Sequence, residues 1–297
     1  MNSRRRISTW AGAILGSLCA LVLVGQLHAV EHPGQLTEEF HQTYPLAPNG
    51  RVSLENINGP VHINAWDRSE VKVDAVKYAH TKERLDEAKI RVEAQSDSVH
   101  IHTEYPHQTQ TFTDDDRDNP ASVEYTLTVP RKTELDNIEL INGALDVNGT
   151  TGEVRASCIN GRLRAGGLGG RVKLSTVNGP LDVAFASLEG TSIDLESVNG
   201  SLRLTLPSDA KAEIEASTVH GGIENDFGLR VVNHRYVGHD LDGQLGGGGT
   251  RIRLNNVNGR IEVRHANDNR ALSPATNTSS HRDDDRDDDD NDDGDSI

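Results

Sequence analysis

Large side chains are scarce in this chain. Aromatics make up 4% of its 297 residues, with two Trp and a single Met. That excludes a core built on bulky rings. Cysteine is almost absent, and two residues supply neither a disulfide framework nor a four-Cys zinc site. Positive charge is short as well: 30 Lys and Arg face 46 Asp and Glu, for a formal net charge of −16. Without a basic excess, nucleic acid is excluded as a partner for a broad electrostatic surface. No Gly-x-Gly-x-x-Gly, phosphate-binding loop or Gly-x-Ser-x-Gly occurs. The longest apolar run, from about Trp10 to Gly25, is about 16 residues, short of the roughly 20 that cross a bilayer.

That run follows Arg4, Arg5 and Arg6 and ends near Ala29. A basic head, an apolar core and a small residue near the cut read as a secretory signal over residues 1–29. Export to the periplasm, the envelope or the exterior is therefore expected. A membrane is met only through this segment if it stays uncleaved. Residues 30–43 read as a linker. At the other end, residues 267–297 read as a disordered linker and an Asp-rich tail. The last 17 residues hold ten Asp and two Arg, a net of −8, and such a block stays solvated. With three positive charges in the head, the body keeps −11. Within the tail, Asp289, Asn291 and Asp293 match the opening of a calcium loop, but the twelfth-position acid is missing. Loose cation collection is the most this fragment offers, and no other cofactor is indicated.

What the chain has is a repeat. Asn-Gly follows Ile or Val at Asn58, Asn142, Asn160, Asn178, Asn199 and Asn258, and His220-Gly221 is a variant copy. From 142 to 220 the spacings are 18, 18, 21 and 21. Alternating apolar residues flank each copy, as in Arg171–Val183. Asn-Gly between alternating segments also signals a hairpin. A fixed period with one apolar phase favours stacked coils instead. In that reading each Asn-Gly turns a corner, and the Asn side chains bond along the stack as amide ladders do. His220 would interrupt that ladder.

The fold class expected is all-β: a right-handed parallel β-solenoid of about 18–21 residues per coil. Val172, Ile193, Leu181 and Leu202 are among its inward positions. The outward positions that follow the corners, Asp146, Arg164, Asp182, Arg203 and Glu224, alternate in sign from rung to rung. Such a ladder fixes register more than it adds stability. Cys158 stands where neighbouring coils have Thr176 and Ser197, which gives it a packing role. Before the repeats, strands are expected over 50–66, 69–78, 90–94, 99–103 and 123–129, with a short helix over Thr81–Lys89 and a loop over Tyr105–Asn119. His100 and His102 share one strand face and could meet a metal, but no third ligand can be named.

Ile57-Asn-Gly-Pro-Val-His-Ile-Asn-Ala-Trp-Asp67, Tyr125-Thr-Leu-Thr-Val-Pro130 and Leu204-Thr-Leu-Pro207 carry a resemblance, together with Gly246–Gly249 before Arg251-Ile-Arg-Leu254. Over roughly Tyr44–His265 the chain resembles the bacterial putative-adhesin family, β-strand-repeat domains of unknown function related to autotransporter-adhesin heads. The resemblance implies an exported β-solenoid over residues 44–266 and transfers no catalytic residue. The expected function is a non-enzymatic binding or structural module of the cell envelope, with a glycan, a surface ligand or an envelope protein as partner. The competing expectation is a β-helix polysaccharide lyase or hydrolase using outward Asp182, Asp194 and Glu196.

Overall fold

The computed structural model describes residues 35–106, 120–188, 192–234 and 237–278. The expected signal segment, the acidic stretch Asp114–Asp116, the calcium-loop fragment at Asp289, Asn291 and Asp293, and the Asp-rich tail lie outside them. The described chain is all-β with one short helix, and its strands form two large mixed sheets. No helix among the described residues is long and apolar enough to cross a membrane.

The chain enters through β1 (Leu36–Pro45), β2 (Arg51–Asn58), β3 (Val61–Trp66) and β4 (Glu70–Ala79). Helix α1 (Lys82–Glu87), β5 (Lys89–Ala94), β6 (Ser98–Glu104) and β7 (Ser122–Pro130) follow. The repeats then alternate between the sheets. One sheet receives β8 (Glu134–Asn142), β10 (Val154–Asn160), β12 (Val172–Asn178), β14 (Ser192–Asn199) and β16 (Ala212–His220). The other receives β9 (Leu145–Asn148), β11 (Leu163–Gly166), β13 (Leu181–Ala184), β15 (Leu202–Leu206) and β17 (Ile223–Asn225). The chain closes with β18 (Val231–Asn233), β19 (His239–Leu245), β20 (Thr250–Asn258), β21 (Ile261–His265) and β22 (Ala275–Asn277).

Successive repeats pair parallel and in register, Val172 on Ile193 in one sheet and Leu181 on Leu202 in the other. Every second side chain points between the sheets. Val172, Leu174, Leu181 and Val183 are completely buried there, each worth about 1.5–3 kcal/mol relative to exposure. Branched aliphatics suit the narrow interior, and this is why few aromatics suffice. Tyr125, the largest fully buried side chain, shares its hydroxyl with Thr103 Oγ1 at 2.7 Å. Burial pushes that phenol up to about 12.

Three expectations need correction. The segment expected as a linker over 30–43 contains most of β1, which pairs antiparallel with β4 over its whole length. Its alternation is weak, and the open edge of β4 supplies the hydrogen bonds that make it a strand. The linker after residue 267 is likewise pinned: β22 pairs with β19, and Ser273 Oγ donates to the Ala210 carbonyl. Most important, the repeats do not pair in sequence order. β20 lies between β14 and β16, and β21 between β15 and β17. The chain runs out along β18 and β19, antiparallel to one another, and β19 pairs antiparallel with β16. It then returns into the slot beside β14. All coils share one apolar phase, so alternation alone cannot order them.

Candidate functional site

The corners carry the most repeated chemistry. Asn142 donates to Asn58, Asn160 to Asn142, Asn178 to Asn160, Asn199 to Asn178 and Asn258 to Asn199, each amide to amide at 2.8–3.0 Å. His220 faces Asn258 on the far side. It therefore sits at the end of the ladder and does not interrupt it, because the last coil in sequence is not the last in space. The inward position two residues before the ladder residue adds a second set of bonds in four of the seven repeats, while Leu140, Thr176 and Ser197 make none there. Cys158 Sγ donates to the Gly143 carbonyl, Asn256 to that of Gly200 and Thr218 to that of Gly259, while Asn56 reaches those of Gly59 and Val123. The carbonyls of Gly59, Gly143, Gly200 and Gly259 thus find side-chain partners. The thiol of Cys158 is buried, and burial pushes its pKa up. It is an inert donor, unsuited to nucleophilic work.

Asn178→Ala removes two ladder bonds at an exposed position. About 1 kcal/mol of stability should be lost, read as a lower urea midpoint. Asn→Ala at the terminal Asn58, with one ladder amide partner, should cost about half as much on the same principle.

The charge ladder follows on the ten-stranded sheet. Asp146 pairs in register with Arg164, Arg164 with Asp182 and Asp182 with Arg203. Arg203 then meets Glu262, and Glu224 comes only after it. The expected adjacency of Arg203 and Glu224 is corrected by the same insertion of β20 and β21. Close contacts flank the row: His62 Nδ1 lies 3.2 Å from Asp146, and Arg203 forms an ion pair with Glu262 at 3.0 Å. The neighbouring acids Glu262 and Glu224 tolerate each other because Arg264 reaches both, and Asp226 as well. Burial pushes the Glu262 carboxyl up, but the hydrogen-bonded Arg203 and Arg264 guanidiniums outweigh it and hold it below the usual range.

A third row went unread at the level of sequence. Ile57, Ile141, Ile159, Val177, Val198, Val257 and Val219 precede the ladder residues, and all are 38–43% exposed. Their signal was visible: an aliphatic residue at the outward parity of every repeat, where a half-solvated strand carries polar groups. They form one straight stripe on the outer face of the twelve-stranded sheet, with rungs about 4.8 Å apart.

The carboxylates proposed for catalysis do not converge. Asp182 lies on the ten-stranded sheet, and Asp194 and Glu196 lie on β14 in the other. The core separates them. Asp194 sits between Lys173 and Arg253, Glu196 between Ser175 and Asn255. The rings of His100 and His102 lie 5.3 Å apart, tilted by 33°, and His100 Nδ1 lies 2.6 Å from Ser53 Oγ. Among the described residues no group of three His, Cys, Asp or Glu is placed to hold a metal. A cleft of about 560 Å³ lies beside α1 and is lined by Glu83, Asp86, Glu87, Lys89, Glu104 and Tyr105.

No protein-family model matches the chain, and no curated protein matches it. Solved structures do. One described as a putative cell adhesion protein from Clostridium sporogenes is 13% identical, with a TM-score of 0.44, over 76% of this chain and 99% of its own. A putative adhesin from Bacteroides fragilis is 10% identical, with a TM-score of 0.25, over 76% and 96%. A putative lipid binding protein from Parabacteroides distasonis is 9% identical, with a TM-score of 0.27, again over 76% and 96%.

Proposed function

We propose that the chain is an exported, non-enzymatic β-solenoid, a binding or structural module of the cell envelope. The observation that carries this reading is the disposition of its polar side chains. Repeat after repeat, amides and charges are spent on neighbours along the stack, and they leave long straight faces where an enzyme would gather groups into a cleft. Straight repeat faces suit extended partners, here a glycan or an envelope protein. Parallel coils in register support the solenoid reading, and the Arg4–Arg6 head before an apolar run supports export.

The test is a glycan array and an envelope pull-down with the chain as the cell processes it, with and without the Asp-rich tail. Reproducible retention of a glycan or protein without turnover is the expected result. Release of oligosaccharide that disappears in Asp194→Asn or Glu196→Gln would replace this reading with a lyase or hydrolase.

A further inference from the structure

The outer face of the twelve-stranded sheet carries, beside the aliphatic stripe, three rows of polar residues at the same outward parity. We propose that a second copy of this chain docks face to face on this sheet, about a two-fold axis running along β12. This goes beyond the binding reading above and does not depend on it.

The argument is one of register. Between the edge strands β5 and β18, the rungs of this face run β6, β2, β8, β10, β12, β14, β20, β16, β19. A two-fold axis along the central strand, β12, reverses that order and keeps each row opposite itself. The aliphatic stripe then meets the aliphatic stripe, Ile57 against Val219 and Val177 against Val177. In the outermost charged row, Arg51 faces Glu213 of the partner subunit, and Glu134 faces the partner's Arg251. In the next, Asp136 faces the partner's Arg253, and Arg155 faces the partner's Asp194. These positions follow from the pairings of β2, β8, β10, β14, β20 and β16, except that Asp136 lies at the β-bulge of β8 and is placed in its row by its 3.1 Å ion pair with Arg155. The rule extends one rung further out on each side. β6 lies opposite the partner's β19, which brings His100 to the partner's Asp242 and His102 to the partner's Asp240. Arg171 and Lys173, on the axis, meet their own copies, with the partner's Glu153 and the partner's Asp194 one rung away.

Other arrangements lack this fit. A shift of one rung sets Asp136 against the partner's Asp194 and Arg155 against the partner's Lys173. The opposite shift sets Arg155 against the partner's Arg253 and Asp136 against the partner's Glu215. Like charges placed this way repel with no opposite charge interposed to relieve them, whereas Arg171 and Lys173 on the axis have the partner's acids one rung away. A two-fold axis along the stack reverses the rows and lays the aliphatic stripe on the Arg51 row. Only the central register pairs both the charges and the stripe, and a face so balanced in sign offers no field to a polyanion or a polycation.

The size is adequate. Nine rungs span about 38 Å and the four rows about 20 Å, so each copy covers roughly 750 Å², close to the about 800 Å² per partner of a stable interface. A row of seven exposed β-branched residues is itself unusual for a face in water. Asp242 shows the same incompleteness: burial, Glu215 and Asp240 together push its carboxyl up, and no cation of its own chain faces it from β16.

The test is sedimentation equilibrium of the chain as the cell processes it, with short-range cross-linking. A dimer is expected. Val177→Lys places two lysines on the axis at a position exposed in the single chain, so it should keep the thermal midpoint and weaken the dimer by roughly tenfold or more. With a short bis-maleimide, Val177→Cys should cross-link alone. Ile57→Cys should cross-link only when mixed with Val219→Cys, because residue 57 of one copy lies about six rungs, some 29 Å, from residue 57 of the other. The unsubstituted chain gives the background, and Cys158 is buried. A monomer at every concentration, a dimer indifferent to Val177→Lys, or Ile57→Cys linking by itself each overturns the proposal.

Discussion

Gly179→Ala is expected to lose roughly 3–4 kcal/mol of stability, the range of large single-residue effects with a named steric cause. Gly179 turns a corner at φ 149°, and a Cβ there would overlap the carbonyl oxygen of Gly161 in the coil below. The overlapped atom is backbone, so no side chain can swing away. Relief requires the two coils to part, and with them the Asn160–Asn178 bond of 2.9 Å. Gly200 and Gly259 meet the carbonyls of Gly179 and Gly200 in the same way. Close approach between corners, more than the turn alone, therefore demands glycine. Gly222→Ala is the control, since nothing lies within 4 Å of a Cβ at that position and its φ is ordinary. It should change stability by less than about 0.5 kcal/mol, as surface substitutions do. Urea unfolding of both variants checks the pair, and equal losses would show that corner contact is not the cause.

Lys77→Met should lose about 2–3 kcal/mol, toward the lower end for breaking a buried ion pair because one partner is partly solvated. Lys77 is 7% exposed. Its ammonium donates to the carbonyls of Leu85 and Ala88 at 3.2 Å and pairs with Glu38 Oε1 at 2.6 Å. These bonds tie the end of α1 to β4 and β1. A helix of six residues has no stability of its own in water. Thr81 caps its start, where Thr81 Oγ1 accepts from the Arg84 amide, and Leu85 is buried beneath it. Once the ammonium is gone, the two carbonyls and Glu38 lose their partner together. Hydrogen exchange in α1 should rise with the fall in the urea midpoint. Adding Glu38→Gln to Lys77→Met should recover part of the loss, because the stranded carboxylate is then neutral. A variant with unchanged exchange in α1 would refute the anchoring role.

Much of the fold could be read from particular residues. The six Asn-Gly pairs mark the corners, and Val172, Leu174, Leu181 and Val183 mark the interior by strict alternation. Thr81 and the helix formers after it place α1. Lys77 could not be read this way, because nothing local distinguishes it from the solvated lysines of an alternating strand. Its role depends on α1 folding back over the sheet. The aliphatic stripe was legible as a pattern yet easily mistaken for part of the corner, since its residues sit next to Asn in every repeat. Cys158, Asn56, Asn256 and Thr218 share one inward column, but their bonds to corner carbonyls on neighbouring coils depend on how closely the coils approach.

The sequence by itself determined the repeat: its period, its inward and outward faces and the Asn-Gly that ends each long strand. These are local consequences of side-chain parity and of Asn-Gly geometry. Only the tertiary structure decided the order of the coils. Each coil offers nearly the same apolar phase and the same Asn to its neighbour, so many stackings satisfy the pattern equally. The antiparallel run of β18 and β19 carries the chain past β16. The slot beside β14 then takes β20 and β21, where Glu262 completes the pair with Arg203. Long-range contact chose among arrangements that short-range rules leave equal, and it thereby put His220 at an end and Glu224 one rung further out.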